Sequence, residues 1–189
     1  MRESRLVLRP VRLHWIKDQG DEPSDLCAHS AVEFSVGGTS MVKPEEGDWT
    51  VSAAGLFLLR TLAADHTPEN GICAQLFPCC GLDYYLAGTS PETVIIPHCP
   101  SGVNCWVRHV GESVELQSES GATARVSAVA WRGAVLSFCD QVRAFYDRSM
   151  PKVPHDARAT LEYGAFVTEW DRLALLTTER PLQPAQTGS

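Results

Sequence analysis

The sequence predicts an α+β protein, with a mainly antiparallel sheet that carries its helices on one face. Two observations favour this fold class: strand-like segments occupy the first two-thirds of the 189-residue chain, and two striped helices follow them. In residues 131–148 the large apolar side chains recur at steps of four, three, four and three. They are Trp131, Val135, Phe138, Val142 and Phe145. An amphipathic helix of this kind needs an apolar surface to cover.

The other two predicted helices differ in how apolar they are. Residues 156–176 repeat the same spacing, and Pro151 and Pro154 separate this helix from the one before it, because proline does not fit inside a helix. Residues 52–64 are apolar almost all round, with Arg60 as the exception. We therefore expect the 52–64 helix to be buried on more than one side.

The strands are predicted from alternation and from turn residues. Residues 5–15 contain Pro10, which cannot donate to a strand ladder, so this segment is predicted to be an edge or bulged strand. Gly37 and Gly38 predict a hairpin between strands at 31–36 and 39–42. The remaining predicted strands are one at 93–97 and a central three-strand meander at 103–110, 113–118 and 123–128.

The domain prediction is one α+β domain over residues 1–176 and a frayed tail over residues 177–189, which lack a core-forming pattern. With 44% hydrophobic and 21% charged residues, the composition is that of an ordinary globular protein. No apolar run is long enough for a membrane span, and arginines interrupt the N-terminal segment, so we expect a cytoplasmic protein without a signal peptide. The odd count of seven cysteines favours reduced thiols.

The formal net charge of −7 is unevenly distributed along the chain. Residues 1–17 contain five Lys or Arg and one acid, whereas the rest of the chain contains eleven Lys or Arg and twenty-two acids. Such an acidic body repels a phosphate backbone, so nucleic acid is not expected as the main partner, and neither is a membrane. A basic protein partner suits this charge better, and the oligomeric state stays open.

One acidic loop has two interpretations. Its carboxylates belong to Asp18, Asp21, Glu22 and Asp25. The loop is either a solvated turn or a patch that attracts a basic partner and raises its association rate.

Cysteine and histidine residues form the other candidate site. The potential metal ligands are Cys27, His29, Cys79, Cys80, His98 and Cys99. Zinc is possible with such residues, but no C-x2-C pair occurs and adjacent cysteines seldom turn both side chains to one ion, so no metal or other cofactor is favoured over buried thiols. Two further alternatives are a reactive thiol at Cys79 or Cys80, and acid–base chemistry by Asp25 and His29.

No catalytic or nucleotide-binding motif occurs, which favours a non-enzymatic protein. The chain is small, acidic and α+β, with F-x-x-x-V-x-x-F-Y at 138–146 and Glu169-Trp170 in its last helix. In these features it resembles bacterial immunity proteins, which neutralise toxins, and the resemblance implies a cytoplasmic protein-binding module. The alternatives are an accessory subunit that uses the helical stripe or the Pro10 edge strand as its interface, and a metal- or thiol-dependent protein.

Overall fold

The computed structural model of the chain describes residues 5–16, 20–81, 83–87, 93–97 and 99–179. These residues form three antiparallel three-stranded sheets, one two-stranded ribbon and three α-helices, and the fold is α+β as predicted. The strands are β1 (Leu6–Pro10), β2 (His14–Trp15), β3 (Ala28–Ser30), β4 (Val32–Val36), β5 (Thr39–Val42), β6 (Trp49–Thr50), β7 (Tyr85–Leu86), β8 (Val94–Ile95), β9 (Cys105–Val110), β10 (Ser113–Ser118) and β11 (Thr123–Ser127). The helices are α1 (Val51–Arg60), α2 (Ala128–Asp147) and α3 (Ala157–Glu179).

The N-terminal segment forms two strands instead of the single strand predicted at 5–15. Strand β1 is the edge of the sheet β1-β4-β5, whereas β2 belongs to a second sheet with the order β2-β3-β6. The side-chain oxygen of Ser30 accepts hydrogen bonds from the backbone N–H groups of Val11 and Arg12, at 3.0 and 2.9 Å. These bonds hold the turn after Pro10 at which the chain leaves one sheet for the other.

The hairpin and the meander are confirmed. Strands β4 and β5 pair through the turn at Gly37 and Gly38, and both glycines have positive φ. Strands β9, β10 and β11 pair antiparallel in sequence order, from Cys105↔Ser118 to Gln117↔Thr123. This meander packs against α2, which follows it directly in the chain.

All three predicted helices are present, with shifted ends. Helix α2 begins three residues before the predicted start, because the Ser127 hydroxyl accepts a hydrogen bond from Ala130 N at 3.1 Å and caps it. Helix α1 ends at Arg60, four residues before the predicted end, and α3 continues to Glu179, into the predicted tail. Residues 180–189 of that tail lie outside the described residues.

The hydrophobic core forms around α1, whose residues from Val51 to Leu59 are all buried. Helices α2 and α3 contact α1, and α2 also covers β1. The indole of Trp131 in α2 lies 5.8 Å from the ring of Phe34, centroid to centroid. Because most of the α2 stripe is buried in this core, it is not available as the partner interface considered above. Among the described residues, no helix combines the length and apolarity that crossing a bilayer requires.

The irregular region between α1 and β9 is attached to the rest of the fold at a few points. Isolated bridges pair His66 with Val107 and Phe77 with Val103. Within the predicted strand at 93–97 only Val94–Ile95 forms a strand, and it pairs with β7, a strand that was not predicted. The β7–β8 ribbon packs on α3, which brings this region next to the acidic loop.

Candidate functional site

An acidic cleft of about 500 Å³ lies beside the N-terminus of α3. Three segments form its walls: the loop at 20–27, residues 83–85, and residues 155–162. Tyr84 is buried against Phe166 of α3, with ring centroids 4.5 Å apart, and this contact fixes the middle wall.

Two of the predicted acidic residues hold the loop in place. Asp25 accepts hydrogen bonds from the backbone N–H groups of Ile16 and Cys27, at 2.7 and 3.2 Å. Asp21 accepts one from Lys152 Nζ at 2.7 Å, and that ammonium group also lies 3.3 Å from the ring centroid of Trp15. The hydrogen bond from Lys152 lowers the pKa of Asp21. These two carboxylates therefore fasten the loop to the N-terminal strands and to the linker before α3.

Carboxylates outnumber cations along the cleft. Its acidic residues are Glu22, Asp25, Asp83, Asp156 and Glu162. Among the described lining residues, Arg158 is the one Arg or Lys, and its guanidinium donates to Glu162 at 3.0 Å. Asp156 accepts a hydrogen bond from Ala159 N at 2.7 Å, at the start of α3. Within the described part of the chain, the exposed carboxylates of Glu22 and Asp83 have no ion-pair partner. These two carboxylates remain available to an incoming cation.

An exposed apolar pair borders the acidic cleft. Tyr85 lines the cleft and lies directly opposite Ile95 in the β7–β8 ribbon. Their side chains are 40% and 55% exposed. Aromatic residues of this kind are enriched at the centres of protein interfaces.

Sequence reasoning identified only part of this cleft. Glu22 and Asp25 line it, Asp21 faces Lys152 instead, and Asp18 lies outside the described residues. Asp83, Tyr85, Asp156 and Glu162 were missed. The Asp-Tyr-Tyr run at 83–85 and the cap position of Asp156 were visible signals, but neither indicates which distant loop lies opposite.

A second site brings together three of the predicted metal ligands. The sulfur atoms of Cys79, Cys80 and Cys99 all lie within 4.8 Å of one another. The Sγ atoms of Cys79 and Cys99 are 2.9 Å apart, and the Sγ of Cys80 accepts a hydrogen bond from Cys99 N at 3.0 Å. Adjacent cysteines were not expected to converge in this way. We call these three residues the thiol cluster.

Hydrogen bonds make the thiols of the cluster unequal. The thiol of Cys79 and the backbone N–H of Ser101 both stabilise the thiolate of Cys99, which lowers the pKa of Cys99 to about 7. The same interaction raises the pKa of Cys79 to about 11. Cys99 is therefore the thiol of this pair that ionises near neutral pH.

Backbone contacts hold the two segments of the cluster together. Phe77 and Val103 exchange two backbone hydrogen bonds, of 3.0 and 2.9 Å, which join the chain before Cys79 to the chain after Cys99. Thr50 N donates to Pro78 O at 2.8 Å, at the start of α1. Gly81 permits close packing, because a Cβ there would lie 3.1 Å from the Cβ of Ala53 and 3.2 Å from a methyl group of Ile96.

Two of the other predicted ligands, Cys27 and His29, do not join the cluster. Cys27 is buried, its sulfur lies 3.4 Å from the Tyr84 hydroxyl, and burial raises its pKa to about 12. His29 is also buried, with ring nitrogens bonded to Cys27 O at 3.0 Å and to the Thr50 hydroxyl at 3.2 Å. Since His29 and Asp25 use separate partners, they form no acid–base pair. His98 lies outside the described residues.

The chain shows no significant match to a protein-family model, to a curated protein or to a solved structure.

Proposed function

We propose that the protein is a non-enzymatic binding module whose acidic cleft takes a basic partner protein. One observation carries the proposal: the carboxylates of Glu22 and Asp83, which have no ion-pair partner among the described residues, lie in the same cleft as the exposed ring of Tyr85. A lysine or arginine of the partner would enter between the carboxylates. An apolar partner side chain would cover Tyr85 and Ile95.

The charge of the whole chain supports this role. With a net charge of −7, the protein attracts a basic partner over longer distances than a single contact can. Such attraction raises the association rate at low ionic strength and weakens as salt screens it. We therefore expect the complex to form more slowly at high salt, with a smaller effect on its dissociation.

The role has two forms. In the immunity-like form, the chain binds a toxic enzyme and blocks it, so the partner is inactive in the complex. In the accessory-subunit form, the partner is active only in the complex. Both forms use the same surface, and the partner's activity with and without this chain separates them.

The test places a photocrosslinking amino acid at position 85 and irradiates cells of the native host. The expected result is one major adduct, identified by mass spectrometry as a basic protein. The double variant Glu22→Lys, Asp83→Lys should reduce that adduct at least tenfold, because it places two cations in the cleft. Calorimetry with the purified partner should show the same loss of affinity.

Two controls make this result specific. A crosslinker at Val129, which is 66% exposed at the start of α2, should not give the same adduct. Glu119→Lys changes the charge at the exposed β10–β11 turn, away from the cleft, and should leave the adduct at Tyr85 unchanged. The proposal fails if no adduct depends on Glu22 and Asp83.

A further inference from the structure

The thiol cluster has the geometry of a metal site. Sulfur ligands about 2.3 Å from a tetrahedral zinc ion are about 3.8 Å from one another. The three sulfurs already lie within 4.8 Å of one another, on three side chains that are each half-buried. An ion would therefore need side-chain shifts of about 1 Å, chiefly to separate the sulfurs of Cys79 and Cys99, and no rebuilding of the backbone.

The hydrogen bonds that hold the segments around the thiol cluster favour a metal-binding site over a chance proximity of three cysteines. The Phe77–Val103 bridge fixes the two segments relative to each other. Thr50 connects the same region to the buried start of α1, through bonds to Pro78 O and Cys79 O of 2.8 and 3.4 Å. A ligand set held by rigid elements loses little conformational freedom when an ion binds.

The third sulfur favours a metal site over a redox-active pair of cysteines. A reversible disulfide would need only Cys79 and Cys99, whose sulfurs are 2.9 Å apart. Cys80 contributes another sulfur to the same point, although adjacent side chains in an extended chain point to opposite sides. A metal ion uses all three sulfurs, whereas a disulfide leaves one without a role.

We propose that Cys79, Cys80 and Cys99 bind one thiophilic d¹⁰ metal ion, Zn²⁺ or Cu⁺, through three thiolates. Soft sulfur ligands select these ions over Mg²⁺ or Ca²⁺. Zn²⁺ would complete a tetrahedron with a solvent molecule, whereas Cu⁺ is satisfied by three sulfurs. Each cysteine binds as its thiolate, so the protons still held by the thiols are released into solution.

The test titrates reduced, chelator-treated protein with metal in a buffer without competing thiols. Co²⁺ serves as the spectroscopic probe for Zn²⁺, and we expect thiolate-to-cobalt charge-transfer absorption that saturates at one equivalent and disappears when Zn²⁺ is added. A parallel titration with Cu⁺ against a chromophoric chelator decides between the two ions.

The variants Cys79→Ser, Cys80→Ser and Cys99→Ser should each weaken binding by about a hundredfold, since even outer-shell changes at metal sites reduce affinity 10–100-fold. Cys73→Ser is the matched control, because Cys73 is also half-buried but its sulfur lies 4.0 Å from His66 Nε2 and outside the cluster. This control should bind one equivalent with unchanged affinity.

A second measurement uses the unmodified protein, so it does not require the cysteine variants to fold. In the unmodified protein, one equivalent of Zn²⁺ should protect Cys79, Cys80 and Cys99 from alkylation, as peptide mass spectrometry can show. Equal alkylation with and without metal overturns the proposal. The proposal is also overturned if the reduced protein binds neither Zn²⁺ nor Cu⁺ and forms a Cys79–Cys99 disulfide in air.

Discussion

Arg60 and Glu169 form a two-point ion pair that joins α1 to α3 inside the protein. The Nε atom of Arg60 donates to one carboxylate oxygen of Glu169 and an Nη atom donates to the other, both at 2.9 Å. The same residues also bond to Val94, whose N–H donates to Glu169 at 2.8 Å and whose carbonyl accepts from Arg60 at 2.7 Å. The pair thus fixes the β7–β8 ribbon, and with it Tyr85, to both helices.

Replacing Glu169 with glutamine should therefore lower the free energy of unfolding by about 3 kcal/mol, because it leaves the charge of Arg60 largely buried without a counter-charge. Urea unfolding monitored by circular dichroism checks this value. The control is Glu115→Gln, which breaks the exposed pair with Arg125 and should change stability by less than about 1 kcal/mol. Equal effects of the two variants would contradict the structural role of the buried pair.

Gly55 in α1 should not tolerate alanine. A Cβ at position 55 would overlap the indole of Trp170 in α3, and both residues are buried. We expect Gly55→Ala to lower the free energy of unfolding by about 1–3 kcal/mol through overpacking. Gly133→Ala on α2, where a Cβ meets no atom within 4 Å, should instead raise it by about 0.5–1 kcal/mol through helix propensity. Thermal unfolding of the two variants checks the opposite signs.

His66 should make the fold sensitive to mild acid. Its Nε2 bonds to the side-chain oxygen of Asn104 at 2.7 Å and its Nδ1 accepts from Ile72 N at 3.2 Å, which leaves no acceptor for a second ring proton. Burial lowers the pKa of His66 below the ordinary value of 6.5. Below pH 6.5 the unfolded chain takes up a proton that the folded protein does not, so stability decreases as the pH falls towards the folded-state pKa.

The pH effect can be measured as the difference in unfolding free energy between pH 7.5 and pH 5.5. His66→Gln should reduce this difference by about 1 kcal/mol. This value corresponds to the uptake of one extra proton by the unfolded chain over about one pH unit. His29, whose pKa burial also lowers, contributes in the same direction and keeps part of the effect in this variant. His155→Gln is the control, because that side chain is 80% exposed, and an equal reduction there would contradict the assignment to His66.

Three of the seven cysteines should resist alkylation in the folded protein. Cys27, Cys105 and Cys139 are buried, and burial raises the pKa of Cys27 and of Cys105 to about 12 and that of Cys139 well above its ordinary value. Iodoacetamide at pH 7.5, followed by peptide mass spectrometry, should modify these three only after urea is added. Rapid labelling of any of them before unfolding would contradict the packing around it.

The helices were predictable because their pattern is local. Buried side chains recur every three or four residues in α2 and α3, and this spacing is visible in any window of the sequence. The short strands β3, β6 and β7 were missed, and β2 was merged with β1 into one predicted strand, because two or three residues are too few to show alternation. Their pairing depends on distant partners such as His29 with Thr50.

At the two candidate sites, too, the sequence predicted local features but not the contacts between distant segments. The acids of the loop and the cysteines were recognisable by type, but their neighbours were not. Glu22 and Asp156 line one cleft although more than a hundred residues separate them, and Cys79 meets Cys99 only because the Phe77–Val103 bridge joins their segments. A loop contact of this kind leaves no repeating pattern in the chain.

The sequence alone determined the α+β class, the three helices, the hairpin and meander, and the excess of acid. These properties depend on composition or on spacing along a few turns of chain. The tertiary structure decided which carboxylates lack an ion-pair partner among the described residues, that Lys152 engages Asp21, and that three sulfurs converge while Cys27 is buried apart. Such outcomes depend on how distant segments pack, because the energy of a contact depends on separation in space and not on distance along the chain.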